Sequence, residues 1–135
     1  MVNNWRMTPT SKTRILYAED DPDTRDMVCV ALESEGFEVV CPRNPEAFIG
    51  LAKEERWDVY MLDAWMPEMS GIELCKRIRE FDSRTPIIFY SAAAYERDKQ
   101  AALECGAQAY VTKPAIYGEL IDSINQVLSK SEPPA

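Results

Sequence analysis

Glu19, Asp20 and Asp21 stand together directly after the apolar run RILYA, residues 14–18. Three neighbouring like charges repel one another, and each raises the cost of ionising the next. A cation held between them would turn that repulsion into affinity. The chain has no histidine, and its cysteines Cys29, Cys41, Cys75 and Cys105 form no CxxC pair, so a zinc site is not expected. Carboxylate oxygens alone suit a hard cation, Mg²⁺ before others. Asp63 follows DVYML, Ser91 follows PIIFY, and Thr112, Lys113 and Pro114 close and follow AYVT. No hydrolytic triad can be assembled from this set. It does fit a carboxylate nucleophile, Asp63, taking a phosphoryl group whose oxygens are held by Lys113 and the Ser91 hydroxyl.

These residues meet only if the chain brings several strand ends to one rim. Short runs rich in Ile, Val and Tyr alternate with stretches of helical period, the pattern of repeated βα units. Strands are expected at 14–18, 37–41, 58–62, 86–90 and 109–112. Most read as apolar throughout, as strands covered on both faces do. Met27, Val28, Ala31 and Leu32 make one helical apolar face; Ile72, Cys75 and Ile78 make another, and Ile116, Leu120, Ile124 and Val127 a third. Gly36 and Gly106 fit left-handed helix ends, and Pro22 and Pro45 fit first turns behind Asp21 and Asn44 as N-caps. Right-handed crossovers then give an open, doubly wound parallel sheet, whose ligand sites lie beyond the carboxyl ends of its strands.

The 135 residues suffice for one domain, here residues 13–130, between a flexible extension at 1–12 that includes Trp5 and a tail at 131–135. A net charge of -8 argues against a direct nucleic-acid binder. Residues 1–13 lack the apolar core of a signal peptide, and no run reaches the roughly 20 apolar residues of a spanning helix. A soluble, cytoplasmic protein without membrane insertion is expected. The cysteines read as small hydrophobes in reduced form.

Four segments in order, ILYAEDDPD, YMLDAWMPEMSG, PIIFYSA and GAQAYVTKPA, resemble the bacterial two-component response-regulator receiver domain over residues 13–130. The resemblance implies a flavodoxin-like (βα)5 fold with strand order 2-1-3-4-5. It makes Asp63 the phosphoacceptor and Glu19 with Asp20 the acidic pair that positions Mg²⁺. The backbone carbonyl of Trp65 becomes a further metal ligand, while Asp21, one place beyond the pair, supports the site by charge. Ser91 and Tyr110 take the switch positions, Lys113 that of the phosphate-binding lysine, and Lys113–Pro114 that of the cis peptide. Glu19 replaces the commoner aspartate, Ser91 the commoner threonine, and Ala115 a position often aromatic. Trp65 is bulky for its place and is expected to shield a phosphorylated Asp63 from water.

The expected function is a chemotaxis-type, stand-alone phosphorylation switch and not an enzyme. It would be charged by a sensor histidine kinase or histidine phosphotransfer protein, and would alter the 95–129 surface for a downstream protein target. Phosphorylation-dependent dimerisation is left open. Three alternatives stand beside it: a receiver fragment of a longer regulator, a small Mg²⁺-dependent phosphohydrolase, and a binding module of flavodoxin type. The phosphohydrolase often carries a second Asp two residues after the nucleophile, where this chain has Trp65, and against the binding module no Ser/Thr-rich or Gly-rich phosphate loop follows the first strand.

Overall fold

The computed structural model describes residues 12–131. The expected extension and tail, apart from Lys12 and Ser131, lie outside the described residues. Five strands, β1 (Arg14–Ala18), β2 (Glu38–Val40), β3 (Val59–Leu62), β4 (Ile87–Ser91) and β5 (Ala109–Thr112), pair in parallel in the order β2-β1-β3-β4-β5. They alternate with α1 (Pro22–Ser34), α2 (Pro45–Glu54), α3 (Gly71–Arg79), α4 (Glu96–Glu104) and α5 (Ile121–Ser131). This is the doubly wound flavodoxin-like sheet anticipated from the alternating pattern.

Strand side chains point alternately to opposite faces, so each strand feeds two cores. Leu16, Tyr60, Leu62, Ile87 and Phe89 pack with Phe48 of α2 and with Leu74, Cys75 and Ile78 of α3. Ile15, Tyr17, Met61, Ile88, Tyr90 and Val111 pack with Val28 and Leu32 of α1 and with Ile124 and Val127 of α5. Most of these side chains are fully buried, each worth about 1.5–3 kcal/mol of transfer free energy. Two covered faces explain why β1, β3 and β4 carry no polar alternation.

Local signals set the helix ends. Asp21 and Asn44 cap α1 and α2, accepting from Thr24 N and Ala47 N, with Pro22 and Pro45 in the first turns. Gly36 and Gly106 follow α1 and α4 with φ of 95° and 108°, the left-handed conformation a side chain resists. Two expectations need correction. Met27 is exposed, because α1 presents Val28, Ala31 and Leu32 to the sheet and turns Met27 away. The segment before α5 is a π-helical turn, Ile116–Leu120, that still buries Leu120. Among the described residues no helix is long and apolar enough to cross a membrane.

Candidate functional site

The carboxyl ends of β1 and β3 are neighbours in the sheet, with Ala18 paired to Leu62, so the residues that follow them meet. Asp63 N donates to Ala18 O at 3.1 Å, which ties the third strand's exit to the first. Carboxylate oxygens of Glu19, Asp20 and Asp63 all lie within 4.8 Å of one another. Glu19 and Asp63 are buried and Asp20 is exposed, so the cluster opens outward through Asp20. A cleft of about 130 Å³ adjoins it, lined by Glu19, Asp20, Asn44, Phe48 and Met66 among others. Three carboxylates with neither imidazole nor thiolate form a donor set that fits a hard divalent cation.

Lys113 arrives from beyond β5 and faces these acids. Its Nζ lies 2.7 Å from Glu19 Oε1 and 3.5 Å from Asp63 Oδ2. The lysine therefore leans on Glu19 and sits looser on Asp63. Its backbone is fixed by Lys113 N donating to Ser91 O at 3.0 Å and by a cis Lys113–Pro114 peptide. Burial alone would lower the ammonium's pKa, but the Glu19 hydrogen bond and the Asp63 and Glu19 charges outweigh it and raise it. Burial raises Glu19, joined by the charge of Asp63, and the opposing pull of Lys113 does not cancel them. The pair is thus a charged lysine beside a carboxylate that pays for its desolvation, the condition in which an added cation gains most.

Three contributors were not singled out from the sequence. Tyr17, two residues before Glu19 and so on the same face of the strand, donates its hydroxyl to Glu19 Oε1 at 3.1 Å. Gly71, at the first position of α3, has room for no side chain: a Cβ there would stand 2.2 Å from the backbone oxygen of Asp63 and 2.9 Å from Phe89 Cε2. Its signal is a glycine placed after Ser70, which caps α3 by accepting from Glu73 N. Tyr90, buried in β4, accepts from Ala115 N at 3.1 Å and holds the turn after Pro114. Asp21 serves chiefly as the α1 cap; its carboxylate is lowered by the Thr24 hydroxyl and amide it accepts from.

Ser91 and Tyr110 are joined to each other through the β4–α4 loop. Ser91 is fully buried, and its Oγ accepts from Ala93 N at 3.2 Å. The Tyr110 hydroxyl donates to Ala93 O, while its ring stacks on Phe89 at 5.7 Å and 5°. Both side chains therefore grip Ala93. Trp65 donates its backbone N–H to Asp63 Oδ1 at 3.4 Å, and its indole is 57% exposed.

The parallel doubly wound sheet in the order β2-β1-β3-β4-β5, with converging carboxylates and a lysine at its carboxyl rim, defines a CheY-like domain of flavodoxin type. The chain belongs to the response regulator receiver domain family, whose profile matches residues 15–125; its members serve two-component signalling with histidine kinases. It is 38% identical over 121 residues to the transcriptional regulatory protein CseB of Streptomyces coelicolor, covering 88% of this chain and 50% of that protein. It is 39% identical over 122 residues to an uncharacterised 14.6 kDa protein of Leptolyngbya boryana, covering 89% and 93%. The chain spans about half the length of the transcriptional regulators it matches. Among solved structures, a CheY-like receiver domain protein from Methanospirillum hungatei superposes with a TM-score of 0.83 at 26% identity, covering 90% of this chain and 97% of that one. The response regulator TrrA from Thermotoga maritima, in complex with Mg²⁺-BeF, gives 0.77 at 28%, covering 85% and 98%.

Proposed function

We propose that the protein is a Mg²⁺-dependent phosphoacceptor switch in which Asp63 takes a phosphoryl group from a histidine kinase or a histidine phosphotransfer protein. The observation that carries this reading is the convergence of Glu19, Asp20 and Asp63 within 4.8 Å, with Lys113 on the same group. Glu19, Asp20, Asp63 and the Trp65 carbonyl would hold the cation. Bound there, Mg²⁺ would supply positive charge against the negative charge on the oxygens of the transferred phosphoryl group.

The Asp63 carboxylate is the nucleophile, and its oxygen forms the new bond to phosphorus as the donor's bond breaks. Lys113, already 3.5 Å from Asp63 Oδ2, neutralises charge gained at that oxygen. The Ser91 hydroxyl turns toward the phosphoryl oxygens and lets go of Ala93 N. Tyr110, bonded to the carbonyl of the same residue, then repositions with the loop. The signal passes into the 95–129 surface, where Tyr95 and Tyr117 are exposed at 59% and 68%. The switch shifts a population between two loop arrangements and does not turn over substrate, so the protein is not read as an enzyme. Trp65, in place of a second acid two residues after the nucleophile, supports a switch over a phosphohydrolase.

For the output, the Leptolyngbya protein, 93% of which is covered by the match, supports a stand-alone reading of the switch; in that reading it is of chemotaxis type and acts on a protein partner in the cytoplasm. The relatives named as transcriptional regulators support a second reading, in which these residues are the receiver segment of a longer regulator. In either reading the net charge of -8 makes a direct nucleic-acid contact by this segment unfavourable. A phosphorylation-dependent dimer is compatible with both.

The test is incubation with acetyl phosphate and Mg²⁺ followed by intact mass. One added phosphoryl group is expected on the wild type and none on Asp63→Asn. An unmodified wild type, or a variant modified equally, would overturn the assignment, and rapid multiple turnover of small phosphate esters would restore the phosphohydrolase.

A further inference from the structure

Away from the rim, two cysteines from different helices come together. Cys75 in α3 is fully buried, and its thiol lies 3.4 Å from the backbone carbonyl of Cys105, the residue that ends α4. The Cys105 thiol lies 3.3 Å from Ala102 O, so both thiols converge on the carbonyls of the last turn of α4. Cys105 is only partly buried, so one member of the pair can be reached by a small reagent and the other is shielded.

The mount is rigid. Arg79, at the end of α3, donates from Nε and Nη2 to Gly106 O at 3.3 and 2.8 Å, and from Nη1 to Asp82 O at 2.9 Å. Its guanidinium thus pins the turn that carries Cys105 against the helix that carries Cys75. A cationic neighbour also favours thiolate. The hydrogen bond from Cys75 holds the Cys105 thiol below the usual range, with Lys76 and Arg79 adding charge in the same sense and burial opposing; the same hydrogen bond and burial raise the Cys75 thiol, so Cys105 is the thiol that ionises first and Cys75 keeps its proton until the second step.

The other two cysteines serve as an internal contrast. Cys29 and Cys41 also lie near each other, but burial and nearby acids push Cys29 up, and burial pushes Cys41 up to about 12. Arg25 lies near Cys29 and Cys41 and favours their thiolates, but burial outweighs it at both, whereas at Cys105 the lowering contributions win and the Arg79 hydrogen bonds fix the turn.

We propose that Cys75 and Cys105 form an oxidation site that closes to an intramolecular disulfide on exposure to hydrogen peroxide. The Cys105 thiolate attacks one peroxide oxygen; the O–O bond breaks, a sulfenic acid forms on Cys105, and the leaving hydroxide takes a proton to become water. The Cys75 sulfur then attacks the Cys105 sulfur, the S–OH bond breaks, and the Cys75 proton leaves with the hydroxide as a second water. Both thiols are oxidised and one peroxide is reduced. The new bond ties α3 to the end of α4, the helix that opens the proposed signalling surface, so oxidation would restrain that surface independently of Asp63.

The experiment uses the full chain, reduced, freed of reductant and treated with hydrogen peroxide at low protein concentration. Remaining thiols are then alkylated in denaturant and the peptides mapped. A Cys75–Cys105 linked peptide, removed by dithiothreitol, is expected, with Cys29 and Cys41 recovered alkylated. In Cys75→Ala, the sulfenic acid on Cys105 should persist and be captured by dimedone. The wild type requires no folding control. Recovery of Cys75 and Cys105 as free thiols, a predominant Cys29–Cys41 link, or links between chains only would each overturn the proposal. The readout is covalent mapping without phosphorylation, so it can fail while the phosphoacceptor reading stands, and the reverse.

Discussion

At the scale of the residue, the site depends on two side chains that do opposite things: one that is large and outside, and one that is missing. Trp65 is 57% exposed and contributes little to the core, so removing its indole should change stability by no more than about 0.5 kcal/mol. That makes its role in chemistry readable without a folding effect. If the indole limits water at a phosphorylated Asp63, Trp65→Ala should lose phosphate several-fold faster when decay is followed after the donor is removed. An unchanged decay rate would remove the shielding role. Gly71 acts by having no side chain, because a Cβ would collide with the backbone of Asp63 itself at 2.2 Å. Gly71→Ala must push α3 away from the β3 exit. A loss of about 1–3 kcal/mol in denaturant unfolding is expected, together with slower phosphorylation by acetyl phosphate. Wild-type behaviour in both would mean that the contact relaxes at no cost. That Asp63 and Lys113 stand just beyond strand ends beside Glu19 and Asp20 was legible from residue type and position, whereas Ser91 is the last residue of β4 itself. Gly71 and Tyr17 were not legible, since a clash and a buried hydroxyl are facts of packing between segments. Nor did the spacing show that Lys113 stands closer to Glu19 than to Asp63.

At the scale of the element, the strands could be read because burial on both faces leaves an uninterrupted apolar run. Their bounds slipped by a residue at β2, β3 and β4, where hydrogen-bond register and not hydropathy decides the end. The turn from α3 into β4 was invisible in sequence, yet it is fixed by one carboxylate. Asp82 accepts from Arg84 N, Thr85 N, Thr85 Oγ1 and Tyr60 OH at 2.7–3.0 Å. Burial acts to raise its pKa, and these hydrogen bonds overcome that and hold it below the ordinary 3.8. A depressed folded pKa means that the ionised form stabilises the fold at pH values above the unfolded pKa. The contribution is lost as pH falls through the folded value. Asp82→Asn should therefore be less stable than wild type at pH 7, on the order of 1 kcal/mol after allowance for the partial exposure of the group. The gap should narrow as the pH is lowered past about 4. A gap that stays constant from neutral to acid pH would show that shape, not ionisation, holds the turn.

At the scale of the whole molecule, the two cores support a rim where acids from β1 and β3 are forced together, so the fold carries a repulsion that the unfolded chain avoids. Lys113 offsets part of it, leaning on Glu19. The site exists only when β1, β3 and the segment after β5 are assembled, so a cation bound there is bound by the folded state alone. Linkage then fixes the sign of two effects. Saturating Mg²⁺ should raise the unfolding free energy by about 2.7 kcal/mol at a hundred times the dissociation constant, moving the midpoint upward, and chelation should return it. Asp63→Asn removes one of the crowded charges, so without metal it should be at least as stable as wild type, while its gain from Mg²⁺ should largely vanish. Thermal or urea unfolding of both proteins, with Mg²⁺ and with chelator, measures all four states. A carboxylate cluster that served only the fold would give the reverse: a variant less stable without metal, and a Mg²⁺ effect equal in both proteins.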